Sequence, residues 1–211
     1  MANAITVVRV FALFGVLGIM YFGSAAAAQW CGIYIGIVIF ADALDGWVAR
    51  RLGETSQFGA IFDIVGDRIV ENVLWVVFAD LDLVPLWVPL TVLSRGFLVD
   101  GLRASGYSEG MTPFGEKNIM RSKLSLWLTG GRFMRAFFGI VKMLGFVFLA
   151  SLWATRIPHE ELILMDRLLA NDVIQATGRA LVLLAVVLTV IRAIPVIVDS
   201  VAYLKEKNPV N

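Results

Sequence analysis

The sequence predicts an all-α integral membrane protein in which about six transmembrane helices form one bundle. Hydrophobic residues make up 59% of the 211 residues and charged residues only 17%, and the mean hydropathy is +0.81, unlike typical soluble domains. The apolar residues fall into six stretches of about 20 residues, the length that crosses a hydrocarbon layer of ~30 Å. The basic residues collect in alternate connections between those stretches, as they do in membrane proteins.

The six apolar stretches define the predicted helices in chain order. They cover residues 4–23, 29–49, 59–79, 83–104, 134–154 and 177–203. Aspartates interrupt the second and third stretches, so a hydropathy window underestimates both. Residues 156–172 alternate charged residues with leucine and isoleucine, which predicts an amphipathic segment at the membrane interface. Because no internal repeat or low-complexity linker divides the chain, we expect a single domain over residues 1–211.

The placement of lysine and arginine predicts the orientation of the helices, because cytoplasmic connections carry an excess of them. Arg50 and Arg51 lie between the second and third helices, and Lys205 and Lys207 lie in the tail. Six more lie between the fourth and fifth helices or at the facing ends of these helices: Arg103, Lys117, Arg121, Lys123, Arg132 and Arg135. We therefore expect an inner-membrane protein with both termini cytoplasmic, which requires an even number of spans.

Four aspartates inside otherwise apolar sequence dominate the functional interpretation. They are Asp42, Asp45, Asp63 and Asp67. Four ionised carboxylates at the centre of membrane helices would cost on the order of 10 kcal/mol without compensation. Because a helix advances by about 100° per residue, each pair of aspartates shares one face of its helix. Two adjacent antiparallel helices would direct all four carboxylates to one point near the cytoplasmic end.

Carboxylates in this arrangement predict a site for divalent metal ions. Mg²⁺ and Mn²⁺ prefer oxygen ligands, and the chain has one cysteine and one histidine, too few for a zinc set. Four carboxylates can hold two ions roughly 3.5–4 Å apart, the separation used in phosphoryl displacements. We expect two divalent cations, Mg²⁺ or Mn²⁺, as cofactors.

Small residues and one arginine beside the aspartates favour a phosphate-containing ligand. Gly46, Ala49 and Gly59 leave space for a bulky ligand, and Arg50 is suited to a bidentate phosphate contact. Small residues also let membrane helices pack closely, but packing alone does not explain four inward aspartates. The net charge of +1 does not recommend nucleic acid as a partner.

The aspartates belong to a longer spaced pattern that resembles a family signature. The pattern is Asp42-x2-Asp45-Gly46-x2-Ala49-Arg50-x8-Gly59-x3-Asp63-x3-Asp67. It is similar, at every fixed position, to the signature of the CDP-alcohol phosphotransferase family. This resemblance implies transfer of a phosphatidyl group from CDP-diacylglycerol, or a related CDP-linked donor, to an alcohol, with release of CMP. It also implies that the protein forms a homodimer and contacts membrane lipids. The site for the metal ions and CDP would lie on the cytoplasmic side.

The same resemblance implies roles for individual residues. All four aspartates would bind metal, and Asp67 would also act as the catalytic base on the acceptor hydroxyl. The CDP pocket would be lined by Gly46, Ala49, Arg50 and Gly59. Thr6 and Arg9 resemble the usual opening of the family's first helix and would contribute to substrate binding, although the proline that often precedes this opening is absent.

The acceptor alcohol is predicted from a weaker resemblance. Residues 94–104 are similar to a stretch of bacterial phosphatidylglycerophosphate synthases, although Gly96 stands in place of their glutamate. This favours glycerol 3-phosphate. Its phosphate would bind basic residues: Arg103, Lys117, Arg121, Lys123 and Arg192. Those of the connection equally satisfy the positive-inside rule, whereas Arg192 lies within the last apolar helix and is expected to face the site, a partner or Asp199. The Asp-x3-Asp-Arg ending at residues 63–68 is more like the inositol and inositol-phosphate enzymes, so an inositol acceptor stays open.

Two interpretations of other classes also stay open. Aspartates in a helical bundle are found in cation transporters, and a silent scaffold would need none of this chemistry. The small-residue set with Arg50 favours a nucleotide pocket over a transport path, and the intact aspartates argue against a scaffold. Among the remaining charges, we expect Glu71 to form an ion pair with Arg68 or Arg9 rather than to shape the acceptor pocket. Lys142, within the fifth helix, is expected either to face the site or a partner, like Arg192, or to snorkel.

Overall fold

All regular secondary structure in the described part of the chain is α-helical. The computed structural model describes residues 2–52, 57–107, 123–160 and 163–207. The helices within these ranges are α1 (Ala2–Phe22), α2 (Ala25–Ala28), α3 (Cys31–Leu52), α4 (Gln57–Asp80), α5 (Trp87–Tyr107), α6 (Lys123–Gly130), α7 (Arg132–Arg156), α8 (Leu164–Leu169) and α9 (Asp172–Lys207). The predicted all-α class is confirmed.

The six longest helices coincide with the six predicted apolar stretches. These are α1, α3, α4, α5, α7 and α9. Two apolar segments among them, Arg132–Arg156 and Asp172–Tyr203, are long enough to cross a membrane, and Thr6–Phe22 is a shorter apolar helix. The aspartates and arginines of α3 and α4 lower the hydropathy of both helices, as expected from their sequences. The segment predicted to lie at the interface contains the short helix α8, which buries Met165 and Leu169.

The chain divides into two compact units. The first unit comprises Met1–Pro89 and Lys142–Val182, and the second comprises Leu90–Val141 and Leu183–Asn211. Their boundaries fall inside α5, α7 and α9. The prediction of a single domain over residues 1–211 stays a prediction.

In the first unit, α1 packs against both α3 and α4. The Arg9 side chain contacts the carbonyl of Val38, and the Cys31 thiol lies 3.8 Å from the carbonyl of Val16, so α1 and α3 are antiparallel. The Tyr21 hydroxyl donates to Asp80 Oδ2 at 2.5 Å, near the C-terminal ends of α1 and α4. Since Arg9, earlier in α1, contacts Asp67, earlier in α4, α1 and α4 run in the same direction.

The C-terminal part of α7 completes the core of the first unit. Phe146 contacts two aromatic rings of α4, with its ring centroid 4.9 Å from that of Trp75 and 5.7 Å from that of Phe78. Further along α7, Trp153 Nε1 donates to the carbonyl of Met20 at 2.8 Å. The helix α7 therefore runs parallel to α1 and α4. Along the chain, α1, α3 and α4 alternate in direction.

Three connections meet at one end of the first unit, which we call the connection end. It consists of residues 23–30, 81–86, 157–160 and 163–171. Arg156 donates to the carbonyl of Asp82 at 3.0 Å, and the Leu164 amide donates to Gln29 Oε1 at 3.1 Å. A small apolar cluster lies beneath these contacts: Ala25, Ala28, Ala154, Ile163 and Met165.

Candidate active site

The helices α1 and α4 approach each other closely where Thr6 faces Gly66. Thr6 is buried, and a Cβ placed on Gly66 would collide with the Thr6 methyl carbon Cγ2. A larger residue at this position of α4 would force the Thr6 side chain or α1 to shift. Because Gly66 directly precedes Asp67, the close approach lies at the level of the predicted site.

One turn further along α1, Arg9 binds both predicted carboxylates of α4. Its Nη2 lies 3.0 Å from Asp67 Oδ1, and its Nη1 lies 3.9 Å from Asp63 Oδ1. Its Nε donates to the backbone carbonyl of Val38 in α3 at 3.1 Å. A single guanidinium thus connects three helices at the level of Asp63 and Asp67.

The two carboxylates and the arginine differ in exposure. The Arg9 side chain is only 5% exposed, whereas those of Asp63 and Asp67 are 43% and 50% exposed. Arg9 therefore approaches the carboxylates from the buried side, and part of each aspartate side chain remains accessible. Accessible carboxylate oxygens one helical turn apart are suitable donors for Mg²⁺ or Mn²⁺.

The α3 half of the predicted site is described only as backbone. The helix α3 continues through the positions of Asp42 and Asp45, and the Val38 carbonyl that Arg9 binds lies one turn before Asp42. For the predicted site residues of α3, the structure describes only the backbone. They are Asp42, Asp45, Gly46, Ala49 and Arg50. Among the side chains that are described, no three acidic, cysteine or histidine residues form a metal cluster. The four-carboxylate site therefore stays a prediction.

Beyond Asp67, α4 carries a buried ion-pair network. The Glu71 side chain is 7% exposed, and its Oε2 lies 3.3 Å from Arg68 Nη1 and 3.1 Å from Lys142 Nζ of α7. The predicted pair of Glu71 with Arg68 is confirmed. The pair with Lys142 was not predicted from the sequence, although a lysine within an apolar helix is costly and usually has a partner.

In the second unit, Arg192 of α9 binds backbone carbonyls. Its Nη1 donates to Met134 and its Nη2 to Thr129, both at 3.2 Å, and the guanidinium carbon lies 5.1 Å from the centroid of the Phe138 ring. Thr129 lies in the last turn of α6, where carbonyls lack intrahelical donors. Arg192 therefore satisfies a helix C-terminus, a task that sequence patterns do not reveal.

The other predicted acceptor-binding residues are not described in full. Lys117 and Arg121 lie outside the described residues. Arg103 lies on α5 and Lys123 begins α6, but their side chains also lie outside the described part. Gly59 is described and lies one turn before Asp63 on α4. The substrate-binding roles of these residues stay predictions.

Comparison with known proteins relates nearly the whole chain to one family. A model of the family described as CDP-alcohol phosphatidyltransferase matches residues 1–210. The CDP-diacylglycerol–glycerol-3-phosphate 3-phosphatidyltransferase of Bacillus subtilis is 34% identical over 62 residues, which cover 29% of this chain and 32% of the relative. The protein of the same name from Rickettsia typhi is 26% identical over 101 residues, covering 48% of this chain and 57% of the relative.

A third relative carries a different name. A Mycobacterium tuberculosis protein provisionally named a cardiolipin synthase is 33% identical over 81 residues, covering 37% of this chain and 39% of the relative. The chain thus spans between about a third and just over half of the length of these curated relatives.

Proposed function

We propose, because the chain belongs to the CDP-alcohol phosphatidyltransferase family, that it transfers a phosphatidyl group from CDP-diacylglycerol to glycerol 3-phosphate and releases CMP. The observation that carries this proposal is the pair Asp63 and Asp67, which Arg9 binds from the buried side while their other side remains accessible. Two relatives are named for this reaction.

In the proposed reaction, Asp67 acts as the general base. Its carboxylate accepts the proton of the acceptor hydroxyl while that oxygen attacks the lipid-linked phosphorus of CDP-diacylglycerol. A new bond forms between phosphorus and the acceptor oxygen, and the bond between phosphorus and the CMP oxygen breaks. The accessible side of Asp67 supports this role, because a base must reach the proton that it removes.

The remaining signature residues would hold the metal ions and the nucleotide. Asp42, Asp45, Asp63 and Asp67 would bind two divalent cations, Mg²⁺ or Mn²⁺. When bound, such ions neutralise the pyrophosphate and stabilise the charge on the leaving CMP. The nucleotide would lie against the surface formed by Gly46, Ala49, Arg50 and Gly59.

The six long helices would span the inner membrane with both termini and the site on the cytoplasmic side. The alternating directions of α1, α3 and α4 support this arrangement, because Arg9 lies in the first half of α1 and the connection end follows the last residue of α1. The lipid chains of the donor would stay in the bilayer while the nucleotide enters from the cytoplasm. A homodimer is part of the proposal on the basis of the family resemblance.

Glycerol 3-phosphate is the favoured acceptor because two of the three relatives described are named for it. The basic residues proposed for its phosphate are Arg103, Lys117, Arg121, Lys123 and Arg192. The relative named for cardiolipin synthesis makes phosphatidylglycerol the second candidate acceptor. Inositol phosphate, suggested by the Asp-x3-Asp-Arg ending, is not favoured by the names of these relatives.

The test measures CMP release by the purified protein from CDP-diacylglycerol with Mg²⁺. Parallel reactions contain glycerol 3-phosphate, phosphatidylglycerol, inositol 1-phosphate or no acceptor. We expect release with glycerol 3-phosphate, its loss in Asp67→Asn, and its retention in Asp80→Asn, a control at the far end of the same helix. Release with another acceptor would change the substrate. No release with any acceptor, together with Mg²⁺ uptake into proteoliposomes, would replace the enzyme by a transporter.

A further inference from the structure

We propose that Arg9 is a positioning residue, whose guanidinium sets the orientation of Asp63 and Asp67 and their distance from α3. This inference rests on the proposed function, because it concerns the carboxylates that would bind metal. It differs from substrate binding, the role that the family resemblance implies for Arg9. The contacts described for it are with protein groups on two other helices, the carbonyl of Val38 on α3 and the carboxylates of α4.

The planar guanidinium of Arg9 fixes the relative directions of its donors. Its three nitrogens contact three different groups: Nε the carbonyl of Val38, Nη2 the carboxylate of Asp67 and Nη1 that of Asp63. A guanidinium is planar, so its donors have fixed relative directions. Once Nε is bound to α3, the directions of both Nη groups toward α4 are fixed. A lysine would supply the same charge without this fork.

The Arg9 side chain is buried. A buried cation is stable only where its charge is paired and its donors are bonded, so Arg9 and the two carboxylates hold one another in place. Thr6, one turn before Arg9 on α1, packs against Gly66 and fixes the position of α1 along the axis of α4. The position from which Arg9 reaches the carboxylates is therefore set by packing.

Arg9 also influences the exposed sides of Asp63 and Asp67, where metal ions would bind. Arg9 lies on the buried side, so it restricts the carboxylates without covering the half of their surface that remains exposed. Groups that hydrogen-bond to metal ligands typically change metal affinity or activity by about 10–100-fold when they are removed. Val38 lies one turn before Asp42, so the same contact aligns the aspartate-bearing turn of α3 with α4.

Charge and geometry make opposite predictions for variants of Arg9. If Arg9 mainly repelled the metal ions, its removal would tighten metal binding. If it orients the carboxylates, replacement by lysine weakens binding even though the charge is kept. The variants Arg9→Lys and Arg9→Gln therefore separate the two effects. Arg156→Lys is the matched control, because Arg156 also binds a backbone carbonyl, at the connection end.

The experiment measures Mn²⁺ affinity of the purified protein by the electron paramagnetic resonance of free Mn²⁺, and CMP release on the same samples. For Arg9→Lys we expect a Kd for Mn²⁺ raised by about tenfold or more. We also expect a lower kcat at limiting Mn²⁺ that excess Mn²⁺ restores, and an unchanged KM for glycerol 3-phosphate. Arg156→Lys should match the wild type in all three quantities.

A second pair of variants tests the same idea without altering Arg9. In Gly66→Ala the new Cβ collides with the methyl of the buried Thr6. We expect α1 to move away from α4 to relieve this contact, and Mn²⁺ affinity to fall. Thr6→Ser removes only that methyl, after which the nearest remaining Thr6 carbon lies 3.8 Å from the added Cβ. The double variant should therefore recover Mn²⁺ affinity. This pair decides the question if Arg9→Lys does not fold.

Unchanged or tighter Mn²⁺ binding in Arg9→Lys would overturn the inference, as would an unchanged Kd in Gly66→Ala. Loss of thermal stability without a change in Kd would make Arg9 a purely structural contact and would also overturn it. Failure of the proposed function is a separate outcome. In that case the wild type itself would bind no Mn²⁺ at Asp63 and Asp67 and would release no CMP.

Discussion

The two ends of the first unit each join a cation to a carboxylate, but they differ in the burial of the cation and in how far apart the partners lie in the sequence. At the site end, the cation Arg9 is buried, its carboxylates are half-exposed, and the pair with Asp67 joins residues 58 positions apart. At the connection end, His159 Nε2 lies 2.8 Å from Asp166 Oδ2, both residues belong to one connection, and neither is deeply buried.

This difference indicates that the two ends have different tasks. The site end holds groups in position, and the connection end responds to protonation. A buried guanidinium that extends from α1 and binds groups on α3 and α4 restricts the positions of those groups. The pair at the connection end responds instead to its own protonation. The pKa of His159 is raised by the carbonyl of Ile157 and by Asp166, and the pKa of Asp166 is lowered by His159 and by the Ile163 amide. We therefore expect changes at the site end to alter activity, and changes at the connection end to alter local stability.

The largest expected effect is that of removing a carboxylate charge at the site end. Asp67→Asn should lower kcat for CMP release by about 10⁴-fold, the upper range for loss of a general base, because a proposed metal ligand is lost as well. The amide oxygen of the variant can still accept from Arg9, so the fold should persist. Asp166→Asn makes the same change at the connection end and should leave CMP release unchanged. Equal losses in both variants would contradict the assignment of different tasks to the two ends.

The long helices and the aspartate pattern could be predicted from the sequence, because length, apolar periodicity and spacing are local properties. The partners of the charges could not. Arg9 could equally have faced a substrate, and Lys142 could have snorkelled. The pairs with Asp67 and Glu71 depend on how α1 and α7 pack against α4. The partners of Arg192 could not be predicted for another reason. They are backbone carbonyls, which every residue has, so no residue pattern indicates them.

The second largest effect should follow from Glu71→Gln, beyond the site on α4. This change leaves Arg68 and Lys142 without the carboxylate that both contact. Removing one member of a buried ion pair destabilises proteins by about 3–5 kcal/mol. We expect a value of about 3 kcal/mol, because Arg68 and Lys142 are partly exposed. Unfolding in detergent measures it, with the exposed Glu160→Gln as control. A stability loss no greater than that of the control would show that the network is not stabilising.

A smaller loss is expected from Trp153→Phe near the connection end. Trp153 Nε1 donates to the carbonyl of Met20 and ties α7 to α1. Loss of one such hydrogen bond costs about 1 kcal/mol, and CMP release should not change because the contact is remote from Arg9. Thermal unfolding and the CMP assay on one preparation test both statements. A loss of activity larger than the loss of folded protein would show that the two ends are coupled.

The smallest effect is the pH response of the connection end. Both ring nitrogens of His159 face acceptors, with Nδ1 2.6 Å from the Ile157 carbonyl and Nε2 2.8 Å from Asp166, so both can donate only when the ring is protonated. Because the pKa of His159 is raised from 6.5, this stabilisation is present below pH 6.5 and is lost as pH rises through the folded-state value. The pKa of Asp166 is lowered from 3.8, so its contribution is lost only in stronger acid.

Hydrogen exchange of the Ile163 and Leu164 amides tests this response, because they donate to Asp166 and to Gln29. After correction for intrinsic exchange rates, protection should be higher at pH 5.5 than at pH 8, and His159→Gln should remove the difference. Amides near Arg9 in α1 should show no such dependence, because a guanidinium stays protonated throughout this range. An equal pH response at both ends would mean that protonation of His159 alters the whole first unit, and that the geometric end is not independent of the electrostatic one.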